Sequence, residues 1–227
     1  MSTELQVTAA GAYEHVINDL APAFDAPIRL TVTNAGGVIK RLGAKEPVDV
    51  VLTSAAGIAQ LVAAGLADAA TQTEIARVGL GIAVRQGLPL PDVASGAAVR
   101  ASLLSATRVA FIDPKGGGTS GPFIAKLFER LDVVRQMNET GALSKTGKDV
   151  VRAVTSGEAT LGLTQATELI GAKDVQFAGF LPSEVQVLTA YSGAVSMYAK
   201  APEAAYRFIH FLKSPASMEA FRKAGWT

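Results

Sequence analysis

Residues 113–123 read DPKGGGTSGPF, between the apolar run RVAFI (108–112) and the helix-like IAKLFERL (124–131). Three successive glycines let backbone N–H groups come close to a ligand. The helix start beyond them adds unbonded N–H donors and a partial positive charge. Thr119 and Ser120 add hydroxyl donors. This is chemistry for holding an anion. Gly116 to Gly121 fit the spacing G-x-x-x-x-G, but Pro122 and Phe123 stand where a P-loop needs Lys and Ser/Thr to reach phosphate and magnesium. The same residues fit G-x-G-x-x-G, but Asp113-Pro114-Lys115 intervene after the strand. No acidic residue follows at the distance where a dinucleotide site places its ribose ligand; the segment there reads GALSKTG. A simpler anion cradle remains, and the bland alternative is a connecting loop.

Three more strand-to-helix junctions are built of small residues: AAGA (9–12) before Tyr13, NAGG (34–37) before Val38 and SKTG (144–147) before Lys148. In open α/β sheets, ligands bind beyond the carboxyl ends of the strands. Four such helix starts suit one anion better than four unrelated connections do.

The elements that carry these loops alternate. Hydrophobic spacing predicts strands at 5–9, 28–33, 48–53, 76–84, 108–112, 160–164 and 175–180, and a strand from 185–191 running on towards 194–199. Helices are expected at 13–24, 36–42, 56–64, 96–105, 122–131, 148–156, 166–170 and 202–212. A last helix starts at the Ser214-Pro215 cap and ends near Gly225. Alternating strands and helices imply an α/β protein with parallel sheets.

Whole-chain properties narrow the function. The 227 residues suit one large or two small domains, and 49% apolar with 18% charged residues supports a sizeable core. A net charge of +1 without a run of like charges argues against a nucleic-acid partner. The lack of cysteine excludes thiol catalysis and disulfides, and two distant histidines, His15 and His210, make a histidine metal site unexpected. No cofactor is implied. No apolar stretch is long enough to span a bilayer, so no membrane insertion is expected. The first residues, MSTELQVTAAGAY, lack the basic and apolar regions of a signal peptide. That leaves a cytoplasmic protein or a chain whose signal has been removed.

Five blocks in order resemble the type II periplasmic solute-binding proteins, in particular the molybdate-binding group. They are VTAAGAYEHVINDLAPAF, PVDVVLTSA with AQLVAAGL, DPKGGGTSGPFIAKLFERL, VVRAVTSGEATLGLTQATEL and APEAAYRFIHFLKSPASMEAFRKAGW. The resemblance implies a two-lobed fold. Each lobe is a mostly parallel sheet flanked by helices, and two crossing strands form a hinge. Lobe 1 would take 1–81 and 191–227, and lobe 2 would take 82–190. It also implies a periplasmic monomer that captures a small anion in an interlobe cleft and serves the membrane component of an ABC transporter.

On that basis the expected ligand residues are Gly11, Ala12 and Tyr13 in the first loop and Asn34, Gly36 and Gly37 in the second. Ser54 follows the third strand. Lobe 2 adds Thr119, Ser120, Gly121, Thr146, Gly147 and Gln165, the last through its amide. Tyr13 as a packing aromatic and Ser54 as a plain helix cap are the competing roles. Molybdate binders of this group place serines in the first two loops and a tyrosine near position 165. Here Ala12, Ala35 or Gly36, and Gln165 stand there. Each hydrogen bond missing from a buried oxyanion costs about 1–3 kcal/mol. The balance therefore tips from molybdate towards a larger organic carboxylate.

The same fold hosts an aconitate isomerase, which gives an enzymatic alternative: a cofactor-independent isomerase acting by proton transfer. Its base would come from His15, Glu14, Lys40, Lys115 or Lys148, each more often a surface charge.

Overall fold

The computed structural model describes residues 4–227. The chain first lays down β1 (Leu5–Ala10), α1 (Glu14–Leu20), β2 (Ile28–Thr33), α2 (Ala35–Gly43), β3 (Val50–Ser54), α3 (Ala55–Ala63) and β4 (Thr73–Val78). It continues through β5 (Leu80–Arg85), α4 (Gly96–Ser105), β6 (Val109–Ile112), α5 (Gly121–Arg130), α6 (Val134–Thr140) and β7 (Gly141–Ser144). Then follow α7 (Gly147–Thr155), β8 (Leu161–Gln165), α8 (Ala166–Leu169) and β9 (Val175–Phe180). It closes with β10 (Thr189–Val195), α9 (Pro202–Leu212) and α10 (Pro215–Lys223).

Two compact units result. The first runs to Arg77 and resumes at Thr189–Thr227; the second is Val78–Leu188. The first holds a five-stranded sheet in the order β2-β1-β3-β10-β4. There β1 pairs parallel with both β2 and β3, and β10 runs antiparallel to β3. The second holds a sheet in the order β7-β6-β8-β5-β9. There β6 pairs parallel with β7 and β8, while β5 runs antiparallel to β8 and β9. Each unit is thus α/β, with three parallel strands whose carboxyl ends feed helices and one antiparallel strand, β10 or β5, set against them.

Each unit has its own core. In the first, Val38, Leu42, Val51, Ile58, Leu61 and Ala194 pack between the sheet and α2 and α3. In the second, Ile82, Val99, Phe111, Ile124, Phe128, Leu161 and Leu163 are buried together. The Phe111 and Phe128 rings meet edge to face at 4.8 Å, a geometry that aromatic quadrupoles favour.

Several expected elements are divided or displaced. The run 76–84 is two strands in different sheets, β4 and β5, broken at Gly79. The Gln186 amide lies at this break: its oxygen accepts from Leu80 N at 2.7 Å, and its nitrogen donates to Leu80 O at 2.9 Å. A Cβ at position 79 would come within 2.8 Å of that amide, so a side chain there would push the Gln186 amide aside. Residues 185–188, expected in a strand, are turned instead, with Val185 N and Gln186 N both bonded to Pro182 O; the strand starts at Thr189. The 13–24 helix is α-helical only over Glu14–Leu20, and Ala21–Ala23 tightens to a 3₁₀ turn at Pro22, which lacks the N–H a continuing helix needs. Two elements, α6 and β7, were not expected at all. β7 is an edge strand whose Leu143 is 64% exposed, so its apolar pattern does not mark a buried face.

Candidate functional site

In the first unit the parallel register brings the ends of β1, β2 and β3 side by side, with Ala10 opposite Thr33 and Ala9 opposite Leu52. Gly11–Tyr13 form a 3₁₀ turn that no side chain caps. Asn34 is the cap of α2, its side-chain oxygen accepting from Gly37 N at 2.7 Å. Ser54 caps α3, accepting from Gly57 N at 3.2 Å. As a hydroxyl, Ser54 still has a proton to donate. Gly36 is exposed, Gly37 half-buried, and Ala12 buried.

Tyr13 belongs to the interior of its own unit. Its hydroxyl donates to the Ser192 carbonyl at 3.3 Å. Its ring packs against Tyr191, Phe221 and Trp226, with centroids at 5.5, 6.2 and 4.8 Å. Burial pushes its phenol well above the ordinary value, and nearby Tyr191 adds to the effect. The aromatic at the helix start holds α1 to α10 and the sheet.

In the second unit, β6 brings Ile112 beside Ser144 and Phe111 beside Leu163, so the loops after β6, β7 and β8 are neighbours. The glycine loop is a built turn. Asp113 accepts from Lys115 N through its side chain at 2.9 Å and from Gly116 N through its carbonyl at 3.0 Å. Its own N–H donates to Ser144 O at 2.8 Å. The residues that argued against a dinucleotide site thus tie this loop to its neighbour. Gly121 begins α5 against this turn; a Cβ there would meet Asp113 O at 2.6 Å.

Ser120 precedes α5 and is 3% exposed, yet its side chain makes no capping bond to the helix. Thr146 differs. It forms a capping box in which its hydroxyl donates to Asp149 Oδ2 at 2.8 Å and accepts from Asp149 N at 3.2 Å. Its donor capacity is spent within the protein, so only backbone donors remain for a ligand at this junction. Gln165 is buried at the end of β8. Thr119 is half-buried.

Three residues beside these junctions carry no clear signal in the sequence. The Thr53 and Thr167 hydroxyls are buried and find no hydrogen-bond partner among the described residues; one precedes Ser54, the other sits in α8. Glu168 accepts from the Thr164 hydroxyl at 2.7 Å and lays its carboxylate against Gly147. A methyl group at 147 would overlap that carboxylate. An acid three residues after a strand end resembles an ordinary helix-start residue, and nothing local shows that it folds back onto α7.

Of the bases named for the enzymatic alternative, His15, Lys40, Lys115 and Lys148 are exposed and Glu14 is half-buried. No group of three or more potential metal ligands occurs among the described residues. No helix among them is long and apolar enough to cross a membrane.

The family of bacterial extracellular solute-binding proteins matches residues 5–227. The chain belongs to that family. Among solved structures, this solute-binding protein superposes on the periplasmic molybdate-binding protein of Azotobacter vinelandii with a TM-score of 0.86 at 17% identity, over 98% of each chain. It superposes on a sulfate-binding protein of Mycobacterium tuberculosis with a TM-score of 0.82 at 18% identity, over 99% of this chain and 86% of the other. At those identities the likeness is one of fold. In sequence the chain is 29% identical to an aconitate isomerase of a Pseudomonas species, over 98% of this chain and 87% of that protein.

Proposed function

We propose that this solute-binding protein captures a small organic carboxylate anion at the carboxyl-end loops of its parallel strands. The observation that carries the reading is Ser120. A serine 3% exposed at the head of a ten-residue helix, whose hydroxyl is not used to cap it, offers a donor to an anion at that helix start. Gly121 and Thr119 beside it, with Gly147 and Gln165, complete the contribution of the second unit. In the first unit the candidate ligand residues are Gly11, Ala12, Asn34, Gly36, Gly37 and Ser54.

Two facts favour a carboxylate over a tetrahedral oxyanion. The loops are poor in free hydroxyls, since Ala12 and Ala35 have none and Thr146 has spent its own. The relative at 29% identity is named for a tricarboxylate. Delivery of the ligand to an ABC transporter in the periplasm is the role the family suggests.

The same relative supports a second reading, isomerisation of an unsaturated tricarboxylate by proton transfer. A thermal-shift screen with molybdate, tungstate, sulfate, phosphate, citrate, cis-aconitate and trans-aconitate tests both, because a ligand that binds only the native state raises the midpoint. Stabilisation by carboxylates alone is the expected result. Stabilisation by the metal oxyanions alone would overturn it. Interconversion of the two aconitates, followed by absorbance, decides for or against catalysis.

A further inference from the structure

The Thr53 side chain is 0% exposed, and its hydroxyl finds no hydrogen-bond partner among the described residues. Such groups are rare, because a hydroxyl removed from water and given no partner costs stability. Its position points to what would satisfy it. Thr53 lies near the end of β3, two residues ahead of the nine-residue α3. Gly57 is the third residue of that helix, and Cα–Cβ bonds tilt towards a helix N-terminus, so its Cβ position lies over the first turn. The Thr53 and Ser54 side-chain oxygens lie 3.4 and 3.2 Å from that one point. Both hydroxyls therefore face the start of α3, where the first N–H groups have no intrahelical partner. The Ser54 cap bond to Gly57 N, at 3.2 Å, is at the long end of the range for its kind, so this side chain turns aside at little cost. Ser54 and Ala55 are half-buried and Ala56 is exposed, which leaves the junction open to solvent on that side.

We infer that the start of α3 is a carboxylate subsite in which the Thr53 hydroxyl donates to the bound group. One carboxylate oxygen takes the cap position on Gly57 N, the other accepts from Thr53, and the Ser54 hydroxyl turns to donate as well. The helix end favours the negative charge. This rests on the organic-carboxylate reading and deepens it. The Thr53 hydroxyl is unsatisfied without ligand and satisfied with it, at a cost in stability to the ligand-free chain.

Two variants separate a ligand donor from a structural one. Thr53→Val keeps the shape and removes the hydroxyl; Thr53→Ser keeps the hydroxyl and removes the methyl group. Each is titrated calorimetrically with citrate, cis-aconitate, trans-aconitate, sulfate and molybdate, and its thermal midpoint is taken without ligand. In Thr53→Val the ligand-free midpoint is expected to hold or rise, because an unpaired buried hydroxyl gives way to a methyl group. Affinity for the carboxylates is expected to fall by about tenfold or more, the loss that removing a hydrogen bond to a charged group brings. Thr53→Ser is expected to recover most of that affinity. A lowered ligand-free midpoint in Thr53→Val means that the hydroxyl serves the fold, and overturns the inference. Unchanged affinity in Thr53→Val for a carboxylate that the wild-type chain binds also overturns it, while the carboxylate reading stands. A wild-type chain that binds sulfate or molybdate more tightly than any of the three carboxylates overturns the carboxylate reading itself, and this inference with it.

Discussion

The two units use the same arrangement of parallel strand ends and treat their helix starts differently. In the first, Asn34 and Ser54 cap α2 and α3, and Tyr13 is drawn into the aromatic interior. In the second, Thr146 closes a capping box, Ser120 leaves α5 without a side-chain cap, and Glu168 covers the start of α7. Side-chain caps satisfy the N–H groups that a bound anion would otherwise use. The first unit therefore invests more of its loop residues in its own stability. The second leaves the start of α5 without a side-chain cap and lays the Glu168 carboxylate against the start of α7.

The largest effect expected from breaking this comparison lies in the first unit, away from the loops. Asp49 is buried and accepts from Gln6 N, Lys200 N and Ala201 N at 2.8, 2.6 and 3.0 Å. Asp49→Ala strands all three donors and is expected to cost roughly 3–5 kcal/mol, since hydrogen bonds to charged groups are the strong ones. Denaturant unfolding measures it. Gly121→Val comes next. Its side chain would press on the Asp113 carbonyl, so the glycine turn must shift; a loss of about 2–3 kcal/mol is expected, together with loss of ligand-induced stabilisation.

Two smaller changes sharpen the contrast. Tyr13→Phe removes the bond to Ser192 O and is expected to cost about 1 kcal/mol with no change in ligand affinity. A loss of affinity in calorimetry would return Tyr13 to the site. Thr146→Ala breaks the capping box at a cost of about 1 kcal/mol, again with little change in affinity, because the threonine hydroxyl is already committed.

The smallest effect concerns pH. Hydrogen bonds from Tyr206 and from Ala70 N hold the exposed Asp68 carboxyl below its usual range. A depressed acid contributes stability above its unfolded value and loses it as pH falls through the folded one. Tyr206→Phe is expected to leave stability near neutrality almost unchanged and to flatten slightly its decline in acid, as read from thermal midpoints across pH.

Much of the frame is legible in the sequence because burial and punctuation agree there. β2 and β9 alternate or run apolar between turn residues, Pro202 and Pro215 mark the starts of α9 and α10, and Ser95 marks the start of α4. The missed elements are those whose exposure contradicts their pattern. α6 buries only Met137, and β7 shows Leu143 to solvent. The break at Gly79 depends on Gln186, more than a hundred residues away in sequence. The loops that hold the candidate site were legible as small-residue junctions. Which donors in them are already spent was not, since Tyr13 meets Ser192 and Glu168 meets Gly147 only after folding.

The place of β10 in the first sheet has a consequence for how the protein is made. This strand lies between β3 and β4, yet it is the last strand to leave the ribosome. Until residue 195 emerges, β4 has no partner in its sheet, whereas every strand of the second sheet is already available once β9 has been translated. Order of synthesis thus favours the middle of the polypeptide maturing ahead of its beginning. A nascent chain stalled before Thr189 carries a complete second sheet and a first sheet split open at its interior edge, the kind of exposed strand that recruits chaperones.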